Sequence, residues 1–278
     1  MKKINRRSFL AAAGLTAAAL ALTACGGSAS STASSTESSA ASSEAASTSA
    51  AAELTTVEAG KLTMATNATF PPYEMTTDAG EFEGIDIDTA KAIAEKLGLE
   101  LQIDDMDFDA ALLSVQQGKA DIVMAGVTVT DERKAVMDFS DSYATGIQSI
   151  IVPEGSDITS PDDLAGKKIG TQRGTTGYIY CSDDFGDDAV VAYDNGLTAV
   201  QALNNGQVDA VVIDNAPAKE FVAANPGLVI LETSYAEEDY AIGLAKASPL
   251  EDAVNAALEE LKADGTLQSI VDKYITAE

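Results

Sequence analysis

Histidine and tryptophan are absent from this chain of 278 residues. Without histidine there is no imidazole base, no imidazole metal ligand and no Ser-His-Asp triad. Cysteine occurs only as Cys25 and Cys181, too few for a disulfide framework or a thiolate zinc site. Positive charge is also scarce. Seventeen Lys and Arg face 44 Asp and Glu, a formal net charge of −27 and a pI near 4.1. A chain so acidic is repelled by phosphate backbones and is a poor candidate for binding nucleic acid.

The N-terminus, by contrast, is basic, with Lys2, Lys3, Arg6 and Arg7 ahead of an Ala- and Leu-rich stretch over residues 9–24. That stretch is short and Ala-rich, as in a signal peptide rather than a spanning helix. It ends in Leu22-Thr23-Ala24-Cys25, which resembles the lipobox of bacterial lipoproteins, in which the Cys is lipidated after cleavage before it. Arg6-Arg7-Ser8-Phe9-Leu10 also resembles a twin-arginine export motif, with Ala11 where Lys is usual; the export route stays open. Residues 26–53 use only Gly, Ser, Ala, Thr and Glu, an alphabet that cannot build a core and reads as a tether of roughly 30 Å reach. Cleavage would leave 13 basic against 44 acidic residues, a charge of −31. The expected product is an exported domain, lipid-anchored to the outer face of the cytoplasmic membrane.

From Lys61 short apolar runs alternate with helical patterns. Lys61–Thr66 reads as a strand. Ile87, Ala90, Ala94 and Leu97 share one helical face, closed by Gly98. Ser160-Pro161 and Ser248-Pro249 read as helix openings, with Asp163 and Glu251 placed for capping boxes. Residues 122–124, 169–171 and 210–213 read as buried strands. This alternation predicts an α/β fold with mostly parallel sheets. An internal echo, Gln116-Gln117-Gly118-Lys119-Ala120-Asp121-Ile122-Val123 against Asn204-Asn205-Gly206-Gln207-Val208-Asp209-Ala210-Val211, predicts two similarly built lobes. In such folds ligands bind beyond the carboxyl ends of the strands.

Two arginines remain beyond the N-terminal segment, Arg133 and Arg173, against eleven lysines. Arg133 lies at a helix opening capped by Thr130, where a planar fork of donors suits a carboxylate. A salt bridge to Asp131 or Asp138 is the alternative. Asp214, after Val211-Val212-Ile213, is an acid at a strand end that calls for a cation, or else caps the helix beginning near Asn215. Together the two suit an α-amino acid zwitterion. Gly174-Thr175-Thr176-Gly177 offers main-chain amides to an oxyanion. Phe70 and Phe108 could stack on a ligand or pack in the core. Cys181 reads as a partly buried free thiol.

These residues lie in Thr66-Asn67-Ala68-Thr69-Phe70-Pro71-Pro72-Tyr73, Phe82-Glu83-Gly84-Ile85-Asp86-Ile87-Asp88, Ala125-Gly126-Val127-Thr128-Val129-Thr130-Asp131-Glu132-Arg133, Gly174-Thr175-Thr176 and Val208-Asp209-Ala210-Val211-Val212-Ile213-Asp214. In that order they resemble solute-binding protein family 3, the polar amino-acid substrate-binding proteins of ABC transporters, over about residues 61–275. The resemblance implies a two-lobed periplasmic-binding-protein fold of type II. It places lobe 1 at 59–146 plus 243–278 and lobe 2 at 147–242, with crossovers near 146–152 and 238–243, after a signal peptide (1–24) and a lipidated, tethered segment (25–58).

It also implies that Arg133, Thr128 and the Thr176 amide hold a ligand carboxylate, beside the Thr175 turn. Asp214 and the Gly126 carbonyl would take the ammonium, Phe70 and Phe108 the side chain, and Asn67 and Gln172 its polar end. Many family members carry Asp at the Asn67 position, and the glutamine binder carries Lys at the Gln172 position; a neutral pair here fits an uncharged polar ligand such as glutamine. A basic amino acid is the alternative, and an exported dehydratase on the same fold the more distant one. The expected partners are the amino acid and a permease, met as a monomer; no cofactor or metal is expected.

Overall fold

The computed structural model describes residues 54–275 apart from Thr233. Residues 1–53, with the expected signal peptide, Cys25 and the tether of residues 26–53, lie outside the described residues. Residues 54–58 make contacts with the fold. Leu54 packs against the main apolar cluster, and the Val57 N–H donates to Asp121 Oδ1 at 2.7 Å.

The first part of the chain runs β1 (Lys61–Thr66), β2 (Thr69–Phe70), β3 (Glu74–Thr76), β4 (Phe82–Glu83), α1 (Ile85–Leu97), β5 (Glu100–Asp105), α2 (Phe108–Gln116), β6 (Ile122–Val123), α3 (Asp131–Lys134) and β7 (Met137–Phe139). The second part holds β8 (Ala144–Pro153), β9 (Ile169–Gln172), α4 (Thr176–Phe185), β10 (Val190–Tyr193), α5 (Gly196–Asn204), β11 (Ala210–Asp214), α6 (Asn215–Ala224), β12 (Leu228–Ile230) and β13 (Ala236–Tyr240). The chain then returns with β14 (Gly243–Ala245), α7 (Glu251–Ala263) and α8 (Thr266–Tyr274).

Two sheets define two lobes, with strand orders β5-β1-β6-β14-β7 and β10-β9-β11-β8-β12, β13 pairing separately with β8. In each lobe three neighbouring strands are parallel and the others join antiparallel. The fold class is the α/β two-lobed one expected, but the sheets are mixed rather than mostly parallel. The reason is the crossovers. A strand that arrives from the other lobe carries no covering helix and can pair in either sense.

The chain leaves the first sheet after Phe139, enters the second at Ala144 and returns between Tyr240 and Gly243. The segment expected to cross first, 146–152, lies inside the ten-residue strand β8, which pairs with β13 over residues 144–148 and with β11 over 148–151.

The local signals act as their chemistry dictates. Helix α1 buries Ile85, Ile87, Ala90, Ile93 and Ala94 against α7 and α8, and ends where Gly98 takes a left-handed φ of 70°. The echoed segments are structurally equivalent. Gly118 and Gly206 leave α2 and α5 with φ of 66° and 65°. Asp121 Oδ2 then accepts from the Thr63 N–H of β1 at 2.8 Å, and Asp209 Oδ2 from the Lys168 N–H beside β9 at 2.7 Å.

Two helix openings differ from expectation. Ser160-Pro161 begins a single 3-10 turn, Pro161–Leu164, closed by Asp163 Oδ2 on the Ser160 N–H at 3.0 Å. Helix α7 starts only at Glu251, after a turn in which Ser248 Oγ accepts from the Leu250 N–H at 3.3 Å. Each proline sets φ for a turn without requiring an α-helix behind it.

Candidate functional site

The carboxyl ends of β1, β6, β9 and β11 meet around one cavity, lined by Asn67, Phe70, Glu74, Phe108, Ala125, Gly126, Thr128, Arg133, Gln172, Thr175, Thr176 and Asp214. All ten residues singled out for ligand contact are brought together there. They come from both lobes and are separated by up to 147 positions in the chain, so only the pairing of strand ends makes them neighbours.

Arg133 is buried, and α3 presents it because Thr130 Oγ1 caps the Arg133 N–H at 3.1 Å. The guanidinium lies 5.4 Å from the centre of the Phe108 ring. Its Nη1 donates to the Thr128 carbonyl at 2.7 Å, and its Nη2 reaches across to the Gly174 carbonyl of the other lobe at 3.1 Å. Neither acid offered as an alternative holds it: Asp138 pairs with Lys246 at 2.6 Å, and among the described residues Arg133 has no ion pair. Burial draws the guanidinium below its ordinary pKa, opposed by the nearby Glu238 charge. Arg133 is thus a buried cation held by two carbonyls, with donors to spare for an anion.

Asp214 ends β11 and is buried, and among the described residues it has no ion pair. It stands at the N-cap of α6 but its side chain caps nothing there. Instead it accepts from Gln148 Nε2 at 2.8 Å and from the Tyr240 hydroxyl. Burial raises its pKa to about 7, with the Tyr240 bond opposing and the Glu238 charge assisting. A carboxylate in that setting is stabilised by any cation that enters.

Gly126 shows why a glycine stands between them. Its φ is +54°, and a Cβ would lie 3.0 Å from Phe70 and 3.3 Å from Tyr240. Its N–H is fixed by Asp86 Oδ2 at 2.9 Å. At the far end, Gln172 Nε2 donates to Asn67 Oδ1 at 2.9 Å across the lobes, and Asn67 Nδ2 donates to the Met106 carbonyl at 2.8 Å. Gln172 Oε1 keeps a free lone pair among the described residues. Phe70 stacks on Tyr73 at 5.9 Å, so its ring is both core and cavity wall. Thr175 Oγ1 caps α4 through the Tyr178 N–H at 3.3 Å. Cys181 is fully buried.

Five functional neighbours escaped the sequence reading: Glu74, Asp86, Gln148, Glu238 and Tyr240. Glu74 lines the cavity, fully buried, and burial followed by the charge of Asp86 pushes its pKa well up. Asp86 lies beneath Gly126, its pKa raised by burial to about 6 against hydrogen bonds from Gly126 and Tyr143. For Glu238 and Tyr240 a signal existed. Alternation along a strand puts residues 236, 238 and 240 on one face, and both are buried while Glu237 and Asp239 are exposed. Gln148 sits directly opposite Asp214 in the sheet register, which the sequence does not reveal.

Residues 62–277 match the profile of the bacterial extracellular solute-binding proteins, family 3. A probable histidine-binding protein of Neisseria gonorrhoeae is 33% identical over 222 residues, 77% of this chain and 83% of that one. The arginine-binding extracellular protein of Bacillus subtilis is 32% identical over 228 residues, 78% of this chain and 87% of the other. Among solved structures, an ancestral arginine-binding protein bound to glutamine is 43% identical with a TM-score of 0.75, covering 79% of this chain and all of that one. Such proteins bind substrates for transport and are not enzymes. The chain therefore belongs to the bacterial extracellular solute-binding proteins, family 3.

Proposed function

We propose that the protein captures a polar L-amino acid outside the cell and delivers it to the permease of an ABC transporter. The observation that carries this reading is the pair Arg133 and Asp214: a buried guanidinium and a buried carboxylate on one cavity, not paired with each other. A zwitterion supplies the missing partner to both. Arg133 with the Thr176 amide takes the carboxylate, while Asp214 and the Gly126 carbonyl take the ammonium. Thr128 and Thr175 shape that end of the cavity, and Phe70 and Phe108 flank the side chain. Contacts to both lobes at once favour the closed state, because the open one lacks half of them. Delivery fits a monomer exported by its signal peptide and held at the outer face of the membrane through a lipid on Cys25.

For the ligand we favour an uncharged polar side chain such as that of glutamine. Asn67 and Gln172 are neutral and joined to each other, and Gln172 Oε1 offers one acceptor to an amide N–H. A basic ligand is the second reading. It is supported by relatives named as arginine- and histidine-binding proteins, and by Glu74 as a further carboxyl on the cavity wall. The test is thermal unfolding of the mature chain, freed of ligand by unfolding and refolding, against each of the twenty L-amino acids. At a hundredfold excess over its dissociation constant the ligand stabilises by about 2.7 kcal/mol. Arg133→Ala loses at least about 2 kcal/mol of that affinity, about 30-fold. No shift with any amino acid would end this reading, and a shift with arginine but not glutamine would reverse the preference.

A further inference from the structure

Beneath Gly126, within the first lobe, two acids meet. The Ile85 N–H donates to the Pro72 carbonyl at 3.0 Å and the Asp86 N–H to the Tyr73 carbonyl at 2.9 Å, which lays the start of α1 against the segment leading into β3. Gly84 permits that approach: a Cβ there would lie 2.9 Å from the Glu74 Cα. Glu74 and Asp86 are both 0% exposed and come within hydrogen-bonding reach of each other. Both oxygens of Asp86 are served, Oδ1 by the Tyr143 hydroxyl at 2.7 Å and Oδ2 by the Gly126 N–H at 2.9 Å. Neither oxygen of Glu74 meets an N–H or hydroxyl donor among the described residues. Neither acid has an ion pair among those residues, and the other titratable groups facing the pair, Tyr73, Asp105, Tyr143 and Asp214, bring no positive charge. Asp88, two residues along α1, pairs instead with Lys273 at 2.7 Å.

We propose that Glu74 and Asp86 hold one proton between them, carried by Glu74 and donated to Asp86, so that the cavity wall presents a neutral carboxylic acid. Two buried carboxylates at hydrogen-bonding distance do not both ionise, and an ionised pair has acceptors only, with no hydrogen to place between them. The surrounding donors decide which acid is neutral. Asp86 takes hydrogen bonds on both oxygens and is stabilised as the anion; Glu74 takes none and gains one by donating. Burial and then the charge of Asp86 hold Glu74 well above the usual carboxylate range, whereas burial raises Asp86 only to about 6. Asp86 is thereby a positioning residue, an anion that holds Gly126 by its N–H on the cavity wall. One consequence rests on the amino-acid function: Glu74 supplies no counter-charge to a basic side chain and meets the ligand with the polarity of an amide.

The proton is read by infrared spectroscopy at about pH 8, where ordinary carboxyls are ionised. The expected result is the carbonyl band of a protonated carboxylic acid, kept in Asp214→Asn and lost in Glu74→Gln. Unfolding supplies a second measure. A carboxyl neutral when folded and ionised when unfolded releases its proton on unfolding, so raising the pH destabilises the parent. In urea unfolding from about pH 7 upward, the unfolding constant of the parent should grow relative to that of Glu74→Gln by about tenfold per pH unit. The glutamine amide still donates to Asp86, so the variant folds and its advantage widens with pH. For the ligand, the ratio of L-arginine to L-glutamine affinity in the parent should be the same at about pH 6.5 and about pH 8, since both amino acids share the dependence on Asp214. No band, a band that survives in Glu74→Gln, a Glu74→Gln chain that does not fold, or parallel pH dependence in the two proteins would overturn the shared proton, whether or not either amino acid binds. An arginine preference that strengthens with pH would overturn the neutral wall.

Discussion

Asp214 and Asp86 are carboxyls whose pKa values burial raises to about 7 and about 6. A group raised in the folded state contributes its full stability below the ordinary carboxylate range and loses it as pH climbs through the folded value. The ligand-free protein should therefore lose stability between about pH 4 and pH 7 from these two groups. Urea unfolding at several pH values checks this, and Asp214→Asn should remove the upper part of the loss. Binding should run the other way. An ammonium needs the ionised Asp214, so affinity should weaken below about pH 7, approaching tenfold per unit, and calorimetric titration of Asp214→Asn should lose that dependence. Elsewhere, Ala247 holds a left-handed φ of 56°. Ala247→Gly should raise stability by about 0.5–1 kcal/mol in thermal unfolding without changing affinity.

Between elements, a tight constraint lies where β8 meets β13. A Cβ on Gly146 would sit 2.5 Å from the Tyr240 ring, and Tyr240 is fully buried, edge-on to Tyr73 at 5.3 Å. Gly146→Ala must displace that ring, which holds Asp214 by its hydroxyl. We expect a loss of about 1–3 kcal/mol in stability, read by thermal unfolding, together with weakened ligand binding. Much at this scale was legible beforehand. The strand β1, the end of α1 at Gly98 and the cap of α3 by Thr130 arise from local chemistry, and so do the paired Gly-to-Asp joints before β6 and β11. The 3-10 turn after Ser160 and the late start of α7 were not legible, because Ser-Pro fixes a turn but not the conformation of the residues after it.

Over the whole molecule the acidic excess is the largest electrostatic feature, a formal net charge of −27. Exposed like charges repel most in the compact state. Raising ionic strength from about 0.01 M to about 0.15 M shortens the screening length from about 30 Å to about 8 Å. The unfolding midpoint should rise over that range in differential scanning calorimetry. Repulsion of this kind also sets a background against which the lobes close, so the buried contacts across the cleft matter all the more. Arg133 to Gly174 at 3.1 Å and Gln172 to Asn67 at 2.9 Å are two such contacts.

The sequence by itself determined the function classes that are closed to this chain, the α/β alternation, the two-lobed repeat and the ten residues that line one cavity. The first three rest on composition, local periodicity and short ordered motifs, all of which act along the chain, while the ten residues follow from the family resemblance those motifs carry. Tertiary structure decided the mixed sense of the sheets, the docking of residues 54–58, and the buried brace of Gln148, Glu238 and Tyr240 around Asp214. These depend on which strands pair and in what register, and hydrogen bonds between residues 66 and 90 positions apart, such as Gln148 with Asp214 and Glu238, leave no local pattern to read.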